Sequence, residues 1–405
     1  MHNRNVTQER FDYAVIGGGL AGGWAVSGIR ERDQSGSIVL FSAENDLPYD
    51  RPPLSKQLWK GDTTLDKIYV QPPEYYAQNH VVVKLGTRIA ALDRREHRLR
   101  DESGGEYLYG KLLLATGGAP RRLPLPGGDL PGLCYYRTAD DYRTLREAAR
   151  AGRSALVIGG GFIGSEMAAA LTIAGLRVTM LFPERYLVSR VFPESLGLAL
   201  NAAYRAKGVE VVAEDAPTAI ETAHGAYRVR TRAGRSLAAD LVVVGIGIAP
   251  NVELARAAGL EVGNGIVVNE RLQTSDPDIF AAGDNAFFPE ATLGPRRIEH
   301  WDNAVSQGKH AGRNLAGAGQ PFTDLPFFYS DLFEFGYEAV GDVDTRHETF
   351  ADWQEENKTG VIYYLAHGRL RGAMMCNVWE KVEAARALIR AQRPVTAQQL
   401  QGAIA

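Results

Sequence analysis

The chain has 405 residues, 45% of them apolar, and a formal net charge of −3. That length accommodates two or three domains with ordinary cores, and the mildly acidic balance excludes a general attraction to nucleic acid or to an anionic membrane. Two distant cysteines, Cys134 and Cys376, exclude a disulfide framework and redox chemistry through a closely spaced internal dithiol.

In chain order, the first predicted strand is Tyr13–Ile16, followed by Gly17-Gly18-Gly19-Leu20-Ala21-Gly22, a helix over Leu20–Arg30 and a strand over Ile38–Phe41. This is the βα turn of a dinucleotide-binding unit. Its first glycine makes a tight turn, its second admits a pyrophosphate, and its third lets helix and strand pack closely. The acidic residue that would meet an adenosine ribose is Glu44. Leu47–Lys56 carries three prolines and is expected to be irregular. A buried strand at Leu112–Ala115 leads into Thr116-Gly117-Gly118, and Ala119–Gly132 reads as an interdomain crossing.

A second unit of the same design starts with strand Ala155–Ile158 and Gly159-Gly160-Gly161-Phe162-Ile163-Gly164. It continues through a helix over Ile163–Ala174, strand Arg177–Leu181, a helix over Ser195–Lys207 and strand Val209–Val212. A meander around Ala219–Thr231 and strand Leu241–Val244 complete it, with Gly245–Asn251 as the return crossing. Strand Ile279–Ala282 then runs into Gly283-Asp284. From about Phe327 come aromatic-rich strands, Gly360–Leu365 and Arg369–Met375, and a last helix over Val378–Arg390. One glycine hexapeptide is weak evidence; two in strand–helix context point to two dinucleotides and electron transfer between them. Periodicity alone leaves open which nucleotide sits where. The polar Met1–Arg10 does not read as a signal peptide, so the reducing cytoplasm is the expected setting; no metal site is expected.

Tyr49-Asp50-Arg51-Pro52-Pro53-Leu54-Ser55-Lys56, Ala115-Thr116-Gly117, Gly245-Ile246-Gly247, Ala282-Gly283-Asp284 and Arg297-Ile298-Glu299-His300-Trp301 stand in this order. The set resembles the FAD-dependent pyridine-nucleotide reductases of the putidaredoxin and ferredoxin reductase family. Gly161-Phe162-Ile163-Gly164-Ser165-Glu166 and Leu181–Glu184 resemble the apoptosis-inducing factor branch most. The resemblance implies an α/β fold with two Rossmann-like, glutathione-reductase-type domains and a C-terminal α+β domain. It places a split FAD domain at 11–120 and 247–325, an inserted NAD domain at 121–246 and the last domain at 326–405.

It also implies residue roles. Gly17, Gly19, Leu20, Ala21 and Gly22 would cradle the FAD pyrophosphate with Arg51; Asp284, beside Gly283, would hold the ribityl chain. Glu299, His300 and Trp301 would line the isoalloxazine, and Lys56, paired with Glu166, would stand at its N5 edge. Ile89, Thr116, Gly117 and Arg121 join the cofactor contacts. Gly159, Gly161, Ile163 and Gly164 would take the NADH pyrophosphate, with Phe162 at the nicotinamide, Glu184 and Arg185 at the adenosine ribose, and Gly245, Ile246 and Gly247 alongside. Lys56, Glu166 and His300 are the expected catalytic group. The expected function is an NADH reductase delivering electrons to a small acidic ferredoxin or a rubredoxin, as a monomer or homodimer. An apoptosis-inducing-factor-like NADH sensor and a quinone or ascorbate-radical reductase are the alternatives. Arg296, Arg297, Lys309 and Arg313 form a basic stretch that is either a solvated helix face or a docking rim.

Overall fold

The computed structural model describes residues 9–223 and 225–404. Backbone contacts divide the chain into two compact units. One holds everything described up to Asp50, with Asp66–Ala119 and Pro250–Pro326; the other holds Arg51–Leu65, Pro120–Ala249 and everything described from Phe327 on.

The first unit is built on five parallel strands in the order Val81–Lys84, Ile38–Phe41, Glu9–Ile16, Glu106–Leu114 and Ile279–Ala281. Val15, Val39, Leu40, Leu112 and Leu113 are fully buried, the near-continuous apolar pattern of a parallel sheet covered on both faces. Helices Leu20–Arg30 and Trp301–Leu315 pack so closely that their backbones touch. A Cβ at Gly28 would lie 2.1 Å from the carbonyl of Lys309, and one at Gly312 would lie 2.1 Å from that of Ala25. Only glycine permits that approach, and it lies near the C-terminal ends of both helices.

In the second unit four parallel strands run in the order Glu210–Val212, Arg177–Leu181, Ser154–Ile158 and Leu241–Val244. An antiparallel meander, Pro217–Ala223, Ala226–Thr231 and Ser236–Ala239, accompanies them. A five-stranded antiparallel sheet follows in the order Phe327–Leu332, Phe335–Gly341, Arg369–Cys376, Thr359–Ala366 and Glu348–Glu355. Helix Phe162–Ile173 is buried from Gly164 through Leu171, as a helix enclosed on all sides must be.

Two local expectations change. The proline-rich segment is not irregular: Pro52–Ser55 is a 3-10 turn followed by a short helix, Gln57–Lys60. Proline is tolerated in a first turn because its missing N–H has no helical partner there anyway. The last long helix begins at Val382 rather than Val378, because Asn377 and Glu380 take left-handed backbone, φ 48° and 63°. Among the described residues no helix is long and apolar enough to cross a membrane.

Candidate active site

In the first unit, three turns leave neighbouring parallel strands at one level. Ile16 pairs with Leu114, and Leu114 with Ala281, so Gly17, Ala115–Gly117 and Ala282–Asp284 emerge side by side at the carboxyl ends. This is where open α/β sheets bind ligands. Gly17 has φ +125°, and a Cβ there would lie 2.1 Å from the Ala115 carbonyl; one at Gly22 would lie 1.9 Å from the Gly17 carbonyl. A Cβ at Gly283 would come 3.0 Å from that of Ala21. Gly19 caps the following helix without a side-chain hydrogen bond, and its first turn holds no acidic residue. Leu20 and Ala21 are buried there, so the helix offers bare backbone N–H groups, as an anionic pyrophosphate requires.

The polar shell around these turns also fits a nucleotide. Thr116 Oγ1 donates to the Asn251 carbonyl at 2.8 Å and accepts from Asn285 Nδ2 at 2.9 Å. Asn285 Oδ1, Asn303 Oδ1 and Gln307 Nε2 are buried without a protein partner. Gln307 Oε1 accepts from the Gly283 N–H at 2.9 Å. Buried polar groups demand partners; Asn285 and Gln307 meet the same strand ends, and Asn303 donates to the Ile298 carbonyl just before its helix. Glu44, just past strand Ile38–Phe41, accepts from the Tyr49 hydroxyl at 2.5 Å. Ile89 is buried at the start of a hairpin strand.

Arg297 has a part the sequence did not disclose. Its guanidinium donates to the Asp284 carbonyl at 2.9 Å and to Glu299 at 2.5 Å, tying the ribityl and ring candidates to one side chain. Trp301 opens its helix and donates from Nε1 to Asp50 at 2.8 Å. Burial raises the Asp50 carboxyl above its usual range, the Trp301 bond opposing. Lys309 and Arg313 both pair with Glu31, at 2.7 and 2.6 Å. The basic stretch is therefore partly neutralised within its own unit.

His300 is the N-cap of the same helix. Burial brings its pKa down to about 4, with Asp284 opposing the shift, so the imidazole is neutral around neutrality. Its folded value lies below the ordinary 6.5. The stability from the neutral form is therefore present above 6.5 and lost as pH falls through that value toward 4. His300→Gln should flatten that part of a urea-midpoint curve against pH. It should also add or remove no ionisation near neutrality in the pH profile of flavin reduction; a lost limb there would assign His300 a proton-transfer role.

The second unit repeats the strand-end arrangement. Ile158 pairs with both Leu181 and Val244, so Gly159, Phe182–Glu184 and Gly245 leave at one level. Gly159 has φ +120°, and its Cβ would lie 2.3 Å from the Gly245 carbonyl; that of Gly164 would lie 2.0 Å from the Gly159 carbonyl. Gly161, by contrast, has nothing within 4 Å on its Cβ side, an open approach at an uncapped helix start. Ile246 flanks Gly159, and Gly247 accepts from the Arg121 N–H at 2.9 Å. Phe162 is half-buried and meets Phe328 edge-on at 5.6 Å, while Ile163 is exposed. Glu184 is exposed just past strand Arg177–Leu181, and Arg185 beside it is ion-paired with Glu194.

Within this unit Lys56 and Glu166 meet, 6% and 7% exposed, with Nζ 3.2 Å from Oε1. The Lys56 ammonium lies 4.5 Å from the centre of the Tyr329 ring. Glu166 also accepts from Ser55 and Ser330. Arg51 donates to the Arg137 carbonyl at 2.9 Å. Tyr329 and Ser330 escaped the sequence reading, and Ser55 entered it only as part of the Tyr49–Lys56 motif with no role of its own, because neither serine's bond exists until folding brings it to Glu166. Cys134 and Cys376 are free; burial pushes the Cys134 thiol up to about 12 and that of Cys376 further.

The chain resembles known proteins along most of its length. A family profile described as pyridine nucleotide-disulphide oxidoreductase matches residues 11–308. The ferredoxin–NAD(+) reductase component of an anthranilate 1,2-dioxygenase system from Burkholderia cepacia is 36% identical over 392 residues, 96% of each chain. A rubredoxin–NAD(+) reductase from Pseudomonas putida is 35% identical over 329 residues, 81% of this chain and 86% of that one. The solved covalent complex of putidaredoxin reductase with putidaredoxin superposes with a TM-score of 0.89 at 32% identity, covering 96% of this chain and 95% of its counterpart.

Proposed function

This chain belongs to the pyridine nucleotide-disulphide oxidoreductase family, and from that premise we propose that it passes electrons from NADH through FAD to a small iron–sulfur carrier, a ferredoxin or rubredoxin. It is an FAD-dependent NAD(H) oxidoreductase with two Rossmann-like domains and a C-terminal α+β domain. The observation that carries the proposal is the pair of glycine turns, each at level strand ends, each opening a helix with no side-chain cap. Bound FAD supplies the ability to accept a hydride and release single electrons. Gly17, Gly19 and Gly22 are assigned to its pyrophosphate, Asp284 and Arg297 to the ribityl side, and Glu299, His300 and Trp301 to the ring. Gly159, Gly161 and Gly164 are assigned to NADH, with Phe162 covering the nicotinamide position. Lys56, its ammonium 3.2 Å from Glu166, would stabilise negative charge on the ring electrostatically.

The sequence's only two cysteines both carry thiols raised far above the reactive range. Electrons therefore leave to an external acceptor and not through a cysteine pair. The relatives' acceptors, named as ferredoxin, rubredoxin and putidaredoxin, supply the chemical class. The cytoplasm, where such thiols stay reduced, is the proposed compartment. In an anaerobic titration, NADH should bleach the visible absorption of the bound flavin, and failure to bleach would contradict the reading.

Coenzyme choice follows from charge. Glu184 would repel a 2′-phosphate, and Arg185 is already engaged by Glu194. NADH should exceed NADPH in kcat/KM, and Glu184→Ala should narrow the ratio about tenfold, the effect of about 1.4 kcal/mol. A preference for NADPH in the unaltered protein would refute this assignment.

A further inference from the structure

Ser55 closes the 3-10 turn Pro52–Ser55, and its hydroxyl donates to Glu166 Oε2 at 2.5 Å. Ser330, in strand Phe327–Leu332, donates to Glu166 Oε1 at 2.5 Å. Lys56 reaches the same Oε1 at 3.2 Å. Three donors thus meet two carboxylate oxygens, from segments 111 and 164 residues away in sequence. Both serines are buried, at 5% and 1% exposure. Both oxygens of Glu166 are thereby engaged, Oε1 by Lys56 and Ser330 and Oε2 by Ser55.

The position of each serine in the chain is as informative as its bond. Ser55 directly precedes Lys56, whose backbone turns sharply there at φ −133°, ψ −98°. Ser330 directly follows Tyr329, the ring beneath the ammonium at 4.5 Å. Each hydroxyl therefore anchors Glu166 to a residue that itself belongs to or touches the Lys56 head group. Behind them Tyr204 and Tyr337 are fully buried. Burial, and then the charge of Glu166, holds both phenols protonated, so neither can neutralise Lys56 in place of Glu166.

We propose that Ser55 and Ser330 are positioning residues, which fix Glu166 so that Lys56 is presented as a charged, immobilised group. This rests on the reading of Lys56 given under the proposed function. Neither serine donates to Lys56; both act through Glu166. Removing one hydroxyl leaves the pair intact but loosens the carboxylate, which weakens the field Lys56 exerts on negative charge without altering the nicotinamide site.

The test compares Ser55→Ala, Ser330→Ala and Glu166→Gln in the FAD-loaded protein, singly and with each serine change placed in the Glu166→Gln background. The readouts are the midpoint potential of the bound flavin by dye equilibration, and the rate and KM of its reduction by NADH. Each serine variant should slow reduction about tenfold, leave KM unchanged, and make the two-electron potential about 30 mV more negative. In the Glu166→Gln background neither should add a further change. Serine variants at wild-type potential and rate beside a shifted Glu166→Gln overturn the proposal and leave the reading of the ion pair standing. No shift in any variant overturns both. Additive shifts in the Glu166→Gln background show that the serines do not act through Glu166, which also overturns it. Should Ser330→Ala fail to fold, Ser55→Ala, in a separate segment, carries the same test.

Discussion

Lys56→Ala slows reduction of the bound flavin by NADH about 100-fold or more, the usual cost of removing one pre-oriented electrostatic group from a water-poor site. Burial is what gives the ammonium that effect: at 6% exposure it is poorly screened, and it lies 3.2 Å from Glu166 and 4.5 Å from the centre of the Tyr329 ring. The same variant loses stability, because Glu166 is left as a buried carboxylate without its cation. Breaking a buried pair from one side costs about 3–5 kcal/mol, and the Ser55 and Ser330 hydroxyls that remain on Glu166 put this case at the lower end. Replacing both partners, as Lys56→Met with Glu166→Met, should recover most of the stability in urea unfolding and none of the rate. Recovery of the rate would mean that the pair serves folding alone.

Gly22→Ala and Gly164→Ala separate the two nucleotides. Each new methyl would have to fit within about 2 Å of a carbonyl: 1.9 Å from Gly17 in the first case and 2.0 Å from Gly159 in the second. Neither carbonyl can move without opening the turn that carries the neighbouring N–H groups. Gly22→Ala should release FAD on gel filtration and yield a colourless protein. Gly164→Ala should stay yellow, with KM for NADH raised about 100-fold or its reduction lost, since the pyrophosphate's helix N-terminus is displaced by a fraction of a turn. The opposite pattern would exchange the two assignments; loss of FAD from both would mean that the second turn serves folding rather than NADH.

The parallel strands were legible because buried runs such as Ile38–Phe41 and Leu241–Val244 are continuous apolar tetrads bounded by turns. The glycine turns were legible because their chemistry is local: a positive φ and two close approaches within six residues. Strand Glu348–Glu355, half exposed and polar at a sheet edge, has neither run nor alternation, so nothing marked it. The turn Pro52–Ser55 was misread because proline density was weighed without its position, and proline at a helix start is permitted. The site divides the same way. Lys56 and Glu166 carry recognisable motifs, but Ser330, Tyr329 and the bond from Trp301 to Asp50 depend on long-range packing, which no window of sequence contains. Arg297 was visible as a charge yet not as the link between Asp284 and Glu299.

Electrons taken from NADH should be handed to an iron–sulfur protein. Anaerobic stopped-flow mixing of the NADH-reduced protein with oxidised ferredoxin or rubredoxin reads that transfer directly. Flavin absorption should return as the carrier's visible bands bleach, at a rate that saturates with carrier concentration. A flavin that stays reduced in the presence of every such carrier would contradict it.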